Sequence, residues 1–283
     1  MIKTMRFSLC AIAVVQFLFA VAFFLQLPFA VSLWPFPGTT PLTFIFISSI
    51  FAAAAAPTLW AAVTENYGVL AGIGLDYMGI LLPVAVFSLQ LGAAGDSSMI
   101  LYGIACIFGV LFGLGLLLWS LRFPVDSSLP VPGLVRWSFV FFIVALAIVS
   151  FRLITKVPNT IPWMITPELS VVIGCMFVGA ALYFIYGLLR PGWLNSAGQL
   201  IAFLFYDLVL IVPFLTRLST VSENNRLGLY VYTAVVISSG LLAIYFLFIN
   251  GPTRAATWRQ SAAKLGGLPA AIEIETHKSG GLA

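Results

Sequence analysis

The sequence predicts an all-α membrane protein, with eight transmembrane helices arranged as two tandem, parallel four-helix repeats. Three observations carry this. Of 283 residues, 61% are hydrophobic and only 8% are charged, whereas a water-soluble domain carries about a quarter charged residues. The apolar residues gather in runs of about 20, the length a helix needs to cross a hydrocarbon core about 30 Å thick. And the landmark residues of the first half return, in order, in the second.

The expected spans are 7–33, 42–63, 68–92, 98–121, 135–155, 168–189, 196–217 and 227–249. The first follows Lys3 and Arg6 and stays apolar well past the roughly 7–15 residues of a signal-peptide core, so it is expected to remain as a helix. Trp34-Pro35-Phe36-Pro37-Gly38 turns the chain into the second span, which opens on Thr40-Pro41. Gly92-Ala93-Ala94-Gly95-Asp96 separates the third from the fourth. Pro130-Val131-Pro132-Gly133 leads into the fifth, and Arg190-Pro191-Gly192 divides the sixth from the seventh. Glycine, proline and Asp are the residues that tight connections use. Pro28, Pro57, Pro83 and Pro213 are expected to kink or interrupt their helices. Trp34, Trp60, Trp119, Trp137, Trp163 and Trp193 read as interfacial belts. A polar tail follows residue 250.

The repeat rests on order and spacing. Arg6 opens the first span and Arg136 the fifth; Pro28 and Pro158 follow at the same distance. Trp34-Pro35 is echoed by Pro162-Trp163, and Thr40-Pro41 by Thr166-Pro167. Asp76 with Pro83 in the third span answers Asp207 with Pro213 in the seventh. Tyr102 and Pro124 bracket the fourth span as Tyr232 and Pro252 bracket the eighth. The units are therefore 1–124 and 125–250, with 251–283 as a cytoplasmic tail, partly disordered. A four-span unit begins and ends on the same side, so the copies are parallel and related by an axis along the membrane normal.

The pattern Trp34-Pro35…Thr40-Pro41-Leu42, echoed by Trp163, Thr166 and Pro167, resembles a group of multi-pass bacterial membrane proteins that carry no assigned function. The resemblance covers only the start of spans two and six, and Glu168 departs from it at the Leu42 position. It implies a bacterial plasma membrane and no activity.

Lys3, Arg6, Arg122, Arg136, Arg190, Arg254, Arg259, Lys264 and Lys278 fall on the side of the termini, against Arg152, Lys156, Arg217 and Arg226 on the other. Positive residues favour the cytoplasmic side, so both termini are expected there. Arg254, Trp258, Arg259 and Lys264 suit an anionic leaflet. A net charge of +4 scattered over loops does not suggest nucleic acid. The expected partners are the lipid bilayer and a membrane protein or a second copy of the chain.

Two acids stand inside apolar runs, Asp76 and Asp207. A charged residue at a helix centre costs about 2.5–3.5 kcal/mol, so such a residue faces the bundle interior and marks a functional site by default. Gly68, Gly72, Asp76, Gly79 and Pro83 share one helical face, which predicts close packing, with Ala52 to Ala56 or Gly109 and Gly113 opposite. Asp207 shares its face with Gln199, Phe203 and Leu210, read as a roomier and more polar setting. Arg152, in the outer part of span five, is the one cation leaning into the membrane that can be matched to one of the acids, and its depth is somewhat too far out for Asp207. Tyr77 and Tyr206 project about 100° from the neighbouring acids and are not expected to partner them. The plain alternative is that each acid accepts hydrogen bonds from another helix and fixes packing.

Enzyme chemistry finds no parts. Cys10, Cys106 and Cys175 lie in different spans and behave as small hydrophobes. The one histidine, His277, is in the tail, so haem, zinc and Ser/His chemistry have no ligand or base in the membrane. Gly109 to Gly115 lacks the Lys and Ser/Thr of a phosphate loop. No cofactor is expected. Two functions are open: a small-molecule or ion carrier using Asp76, Asp207, Gln199 and Arg152, or a non-catalytic subunit or scaffold.

Overall fold

The computed structural model describes residues 2–259. The expected disorder of the tail beyond them and the placing of Lys264 lie outside the described residues. The helices are α1 (Ile2–Phe24), α2 (Pro28–Leu33), α3 (Pro41–Thr64), α4 (Leu70–Ala93), α5 (Ser97–Ser120), α6 (Gly133–Ile154), α7 (Pro167–Leu189), α8 (Trp193–Arg217), α9 (Glu223–Ile244) and α10 (Gly251–Trp258). A 3-10 turn, Tyr67–Val69, precedes α4, and a π-helical turn, Tyr245–Ile249, continues α9. All the long helices, eight in number, are long and apolar enough to cross a membrane, and the described residues are all-helical, with no strand among them. The chain has the architecture of a multi-pass membrane protein.

Local chemistry sets the helix ends. Proline starts α2, α3, α7 and α10, where its missing N–H costs nothing. Asp96 caps α5 by accepting from Ser98 N at 3.2 Å, and Thr166 caps α7 by accepting from Leu169 N at 3.2 Å. The first expected span, 7–33, proves to be two helices. Gln26 adopts a left-handed backbone (φ 51°), and the N–H groups of Gln26 and Leu27 fold back onto the carbonyls of Phe23 and Ala22. That geometry terminates α1, and Pro28 begins α2 afresh. Pro57, Pro83 and Pro213 sit inside continuous helices.

Two shells result. α3 and α7 are the most deeply buried spans, at 61% and 67%, whereas α5 and α6 are 22% buried and face outward. The inner helices α3, α4, α7 and α8 meet as two pairs, α3 on α8 and α4 on α7. Around them, α1 packs on α3, α6 on α7, α5 on α4 and α9 on α8. Lipid tails are as apolar as leucine, so close backbone approach and hydrogen bonds hold such a bundle. A Cβ added to Gly74 would come 2.6 Å from Gly113 O on α5, and one on Gly79 would come 2.9 Å from Gly179 Cα on α7. Ser48 Oγ donates to Ala20 O at 2.7 Å, tying α3 to α1. Ser170 Oγ donates to Leu153 O at 2.8 Å, tying α7 to α6.

α10 closes the end of the bundle where α1 begins. Trp60 Nε1 donates to Thr257 O at 3.0 Å and Trp193 Nε1 to Thr257 Oγ1 at 2.8 Å. Thr257 Oγ1 in turn donates to Thr253 O at 2.7 Å. Trp60 and Trp193 are thus buried anchors, 5% and 0% exposed, and Trp163 is buried as well, so none of the three joins a lipid-facing belt. Trp137, at 71% exposure, does face outward. Each buried indole carries one N–H that needs an acceptor, and α10 supplies two of them. At the same end Arg6 Nη1 meets Glu65 Oε1 at 2.6 Å. Arg254, Trp258 and Arg259 on this end are exposed.

Candidate functional site

The two intramembrane acids line one cavity. It measures about 520 Å³ and draws on α3, α4, α6, α7, α8 and α9, with Asp76 and Asp207 both in its wall. Such a volume is in the range of small-molecule sites. Its lining is dominated by aliphatic and aromatic side chains, among them Phe142, Phe177, Phe184 and Phe203, together with Tyr183, Tyr206 and Tyr232. Among the described residues, no lysine, arginine or histidine lines it.

Asp207, on α8, is 4% exposed, and its Oδ2 is buried without a hydrogen-bond partner. It faces α9, where a Cβ added to Gly240 would lie 3.5 Å from that oxygen. Ser239 lies beside it, but its hydroxyl donates to the carbonyls of Val235 and Val236 at 2.8 and 3.2 Å. Next to this acid the Tyr206 and Tyr232 hydroxyls bond to each other. The setting is therefore tighter and less polar than the sequence suggests: Asp207 sits among rings and glycine, with one hydroxyl in reach.

Asp76, on α4, is half-buried and rests on α7. A Cβ added to Gly179 would come 2.8 Å from its Oδ1. The small-residue face read from the sequence is packed: α7 covers Gly72 and Gly79 through Gly179, Leu182 and Tyr183, and the chain at Phe123 to Val125 covers Gly68. Gly113 packs on Gly74, on a different face of α4, and Gly109 on Leu81. Ala53 and Ala54 of α3 stand across the cavity.

Asp76 also lines a second cavity of about 440 Å³, bounded by α1, α3, α4, α5 and α7. Gln16 and Tyr77 stand in its wall, with Gln16 Nε2 donating to Tyr77 Oη at 2.6 Å. Gln16 Oε1 is buried and unpartnered. Sequence reasoning passed over Gln16, although it is the one polar residue in the middle of its apolar run. Neither Tyr77 nor Tyr206 bonds the acid next to it, as their helical offset predicts.

The other two expected site residues are elsewhere. Gln199 is fully buried below the cavity, packed on Gly187, with Nε2 donating to Tyr183 O at 2.6 Å. It ties α8 to α7. Arg152 reaches neither acid; its Nε is 3.4 Å from Thr160 Oγ1, where the chain leaves α6. The helix ends at Ile154, two residues further on, before the left-handed stop at Lys156, which sets the guanidinium at the rim.

Fold and site together define a class: a multi-pass helical membrane protein in which two intramembrane acids, one buried and one half-buried, share an apolar, aromatic cavity. No protein-family model, curated protein or solved structure matches the chain.

Proposed function

We propose that this protein is a carrier for a small molecule or ion, with Asp76 and Asp207 as its cation or proton sites. One observation carries the reading: both acids line the same cavity, and among the described residues no basic side chain lines it to neutralise them. A buried carboxyl without a partner is costly in oil. A bound cation or a proton relieves that cost, and exchanging one for the other is the elementary act of a coupled carrier. The Ser239 hydroxyl, the one beside Asp207, donates to main-chain carbonyls and not to the carboxylate, so it is not held as an activated nucleophile, which favours transport over catalysis.

The reading includes a tandem duplication of residues 1–124 and 125–250. The helix pairing supports it: exchanging α1, α3, α4 and α5 for α6, α7, α8 and α9 turns every packed pair into another packed pair. α3 on α8 becomes α7 on α4. The cavities follow suit, one between α1 and α5 and the other between α6 and α9. Gln26 and Lys156, which end α1 and α6, share the left-handed backbone and the same fold-back hydrogen bonds. Each copy contributes one acid, the arrangement that alternating access about a central axis uses.

The orientation assigned is termini inward, in a bacterial plasma membrane. Lys3, Arg6, Arg122, Arg136, Arg190, Arg254 and Arg259 gather at the end that carries α10, against Arg152, Lys156, Arg217 and Arg226 at the other.

The test is proton-coupled uptake in proteoliposomes, with wild type compared against Asp76→Asn and Asp207→Asn. A carrier loses coupled uptake in both variants while each still folds. If both variants transport as wild type does, or the wild type moves nothing and instead co-purifies with a fixed membrane partner, the scaffold reading takes its place.

A further inference from the structure

We infer that the cavity between α6 and α9 takes a bulky lipophilic organic cation, admitted sideways from the membrane, with Asp207 as its counter-charge. This rests on the carrier reading and names its substrate class.

The mouth comes first. α6 and α9 flank the cavity without forming a packed interface with each other. Phe141 on α6 and Leu227 and Val231 on α9 line it, yet they are 58%, 74% and 56% exposed on the outside of the bundle. These side chains stand where lipid tails would be, so the gap opens into the bilayer. A ligand that partitions into the membrane reaches it without passing a polar vestibule.

The wall then selects the ligand. An inorganic cation needs a shell of about six or more oxygens to replace its water. Here the one hydroxyl beside Asp207, Ser239, donates to main-chain carbonyls, and the Tyr206 and Tyr232 hydroxyls bond each other with a single O–H left over, so no such shell is gathered at this carboxylate. A neutral lipophile would fill the space and leave the Asp207 carboxylate without a counter-charge. A large, weakly hydrated onium or hydrophobic amine satisfies both demands. Its apolar groups match the lining, its charge meets the carboxylate, and aromatic side chains such as Phe142, Phe203 and Tyr232 line the same space, where a large cation gains from aromatic contact.

Protons compete for the same carboxylate. The titratable groups facing it are Asp76 from α4, Tyr183 from α7, Tyr206 on its own helix and Tyr232 from α9, while α3 and α6 present no charged group to the cavity. Binding therefore weakens as pH falls, because only the carboxylate form attracts the cation.

The experiment is equilibrium binding of radiolabelled tetraphenylphosphonium, whose charge is fixed, to the full-length protein in lipid nanodiscs. Uncharged triphenylphosphine oxide serves as control. Saturable binding is expected, weakening as pH is lowered, reduced about tenfold or more in Asp207→Asn and substantially kept in Asp207→Glu. Ala145→Trp fills the cavity while leaving both carboxyls in place, and it should lose binding to a similar degree. The control compound should not distinguish wild type from Asp207→Asn. The inference is overturned if the wild type shows no saturable binding, or if folded Asp207→Asn and Ala145→Trp both bind as wild type does. Binding without any coupled uptake rejects the carrier reading and leaves the ligand class standing. Coupled uptake of another solute, with no phosphonium bound, does the reverse.

Discussion

Asp76 lies directly on Gly179, so that a methyl group at position 179 would come 2.8 Å from its Oδ1 and 2.7 Å from its main-chain oxygen. The acid is seated where the backbones of α4 and α7 come closest, at Gly79 and Gly179. Replacing Gly179 by Val should wedge these helices apart and cost about 1–3 kcal/mol, the usual penalty for overpacking. Gly115→Ala is the matched control, since nothing lies within 4 Å of a Cβ there. Thermal unfolding in detergent checks both; equal stability of the two variants would refute the close approach.

The C-terminal helix gives a second prediction. Thr257→Val keeps the shape and removes the hydroxyl that accepts from Trp193 Nε1. A buried N–H left without an acceptor costs about 1–3 kcal/mol. Hydrogen exchange across residues 251–258 should accelerate in this variant, and Thr257→Ser should restore protection. The Trp60 bond goes to the main-chain carbonyl, so it survives the change.

The tyrosine pair can be tested by a double-mutant cycle. Tyr206→Phe and Tyr232→Phe each abolish the hydroxyl–hydroxyl bond between α8 and α9. Hydrogen bonds between membrane helices average about 0.6 kcal/mol and reach about 1.7. Each single variant should lose an amount in that range, and the double variant should lose little more than either. Strictly additive losses would show that the hydroxyls act separately.

Orientation is measurable by labelling. With Cys10, Cys106 and Cys175 replaced by alanine, single cysteines at Ser127 and Asn159 should behave oppositely. A membrane-impermeant maleimide added to intact cells should modify the Asn159 position and spare Ser127 until the membrane is opened. The reverse pattern would invert the assignment.

Much of the fold was legible because a bilayer imposes a length on every span. The eight runs of apolar residues had no other reading, and prolines and capping residues marked most of their ends. The stop at Gln26 was not legible: a glutamine in a left-handed turn has no distinctive composition, and only the fold-back hydrogen bonds expose it. Asp76 and Asp207 were legible as anomalies, since charge inside oil is rare. The depth of Gln199 was not legible, because sharing a helical face with Asp207 says nothing of depth, and eight residues along the helix takes it onto Gly187, outside the cavity lining. The direction of Arg152 was not legible for a related reason: a long side chain near a helix end is drawn to the rim, here to Thr160. Trp60 and Trp193 were taken for interfacial residues because the sequence could not show that α10 would return to cover them.

The clasp on Thr257 reaches across the chain's midpoint. Trp60 belongs to α3 and Trp193 to α8, so the same threonine is gripped from both sides. Any rocking that parts these helices at that end has to lengthen one of the two hydrogen bonds to Thr257 and let water reach an indole. The C-terminal helix is therefore a built-in strain gauge, and tryptophan emission, red-shifting as an indole is wetted, would read the opening of the bundle without a label.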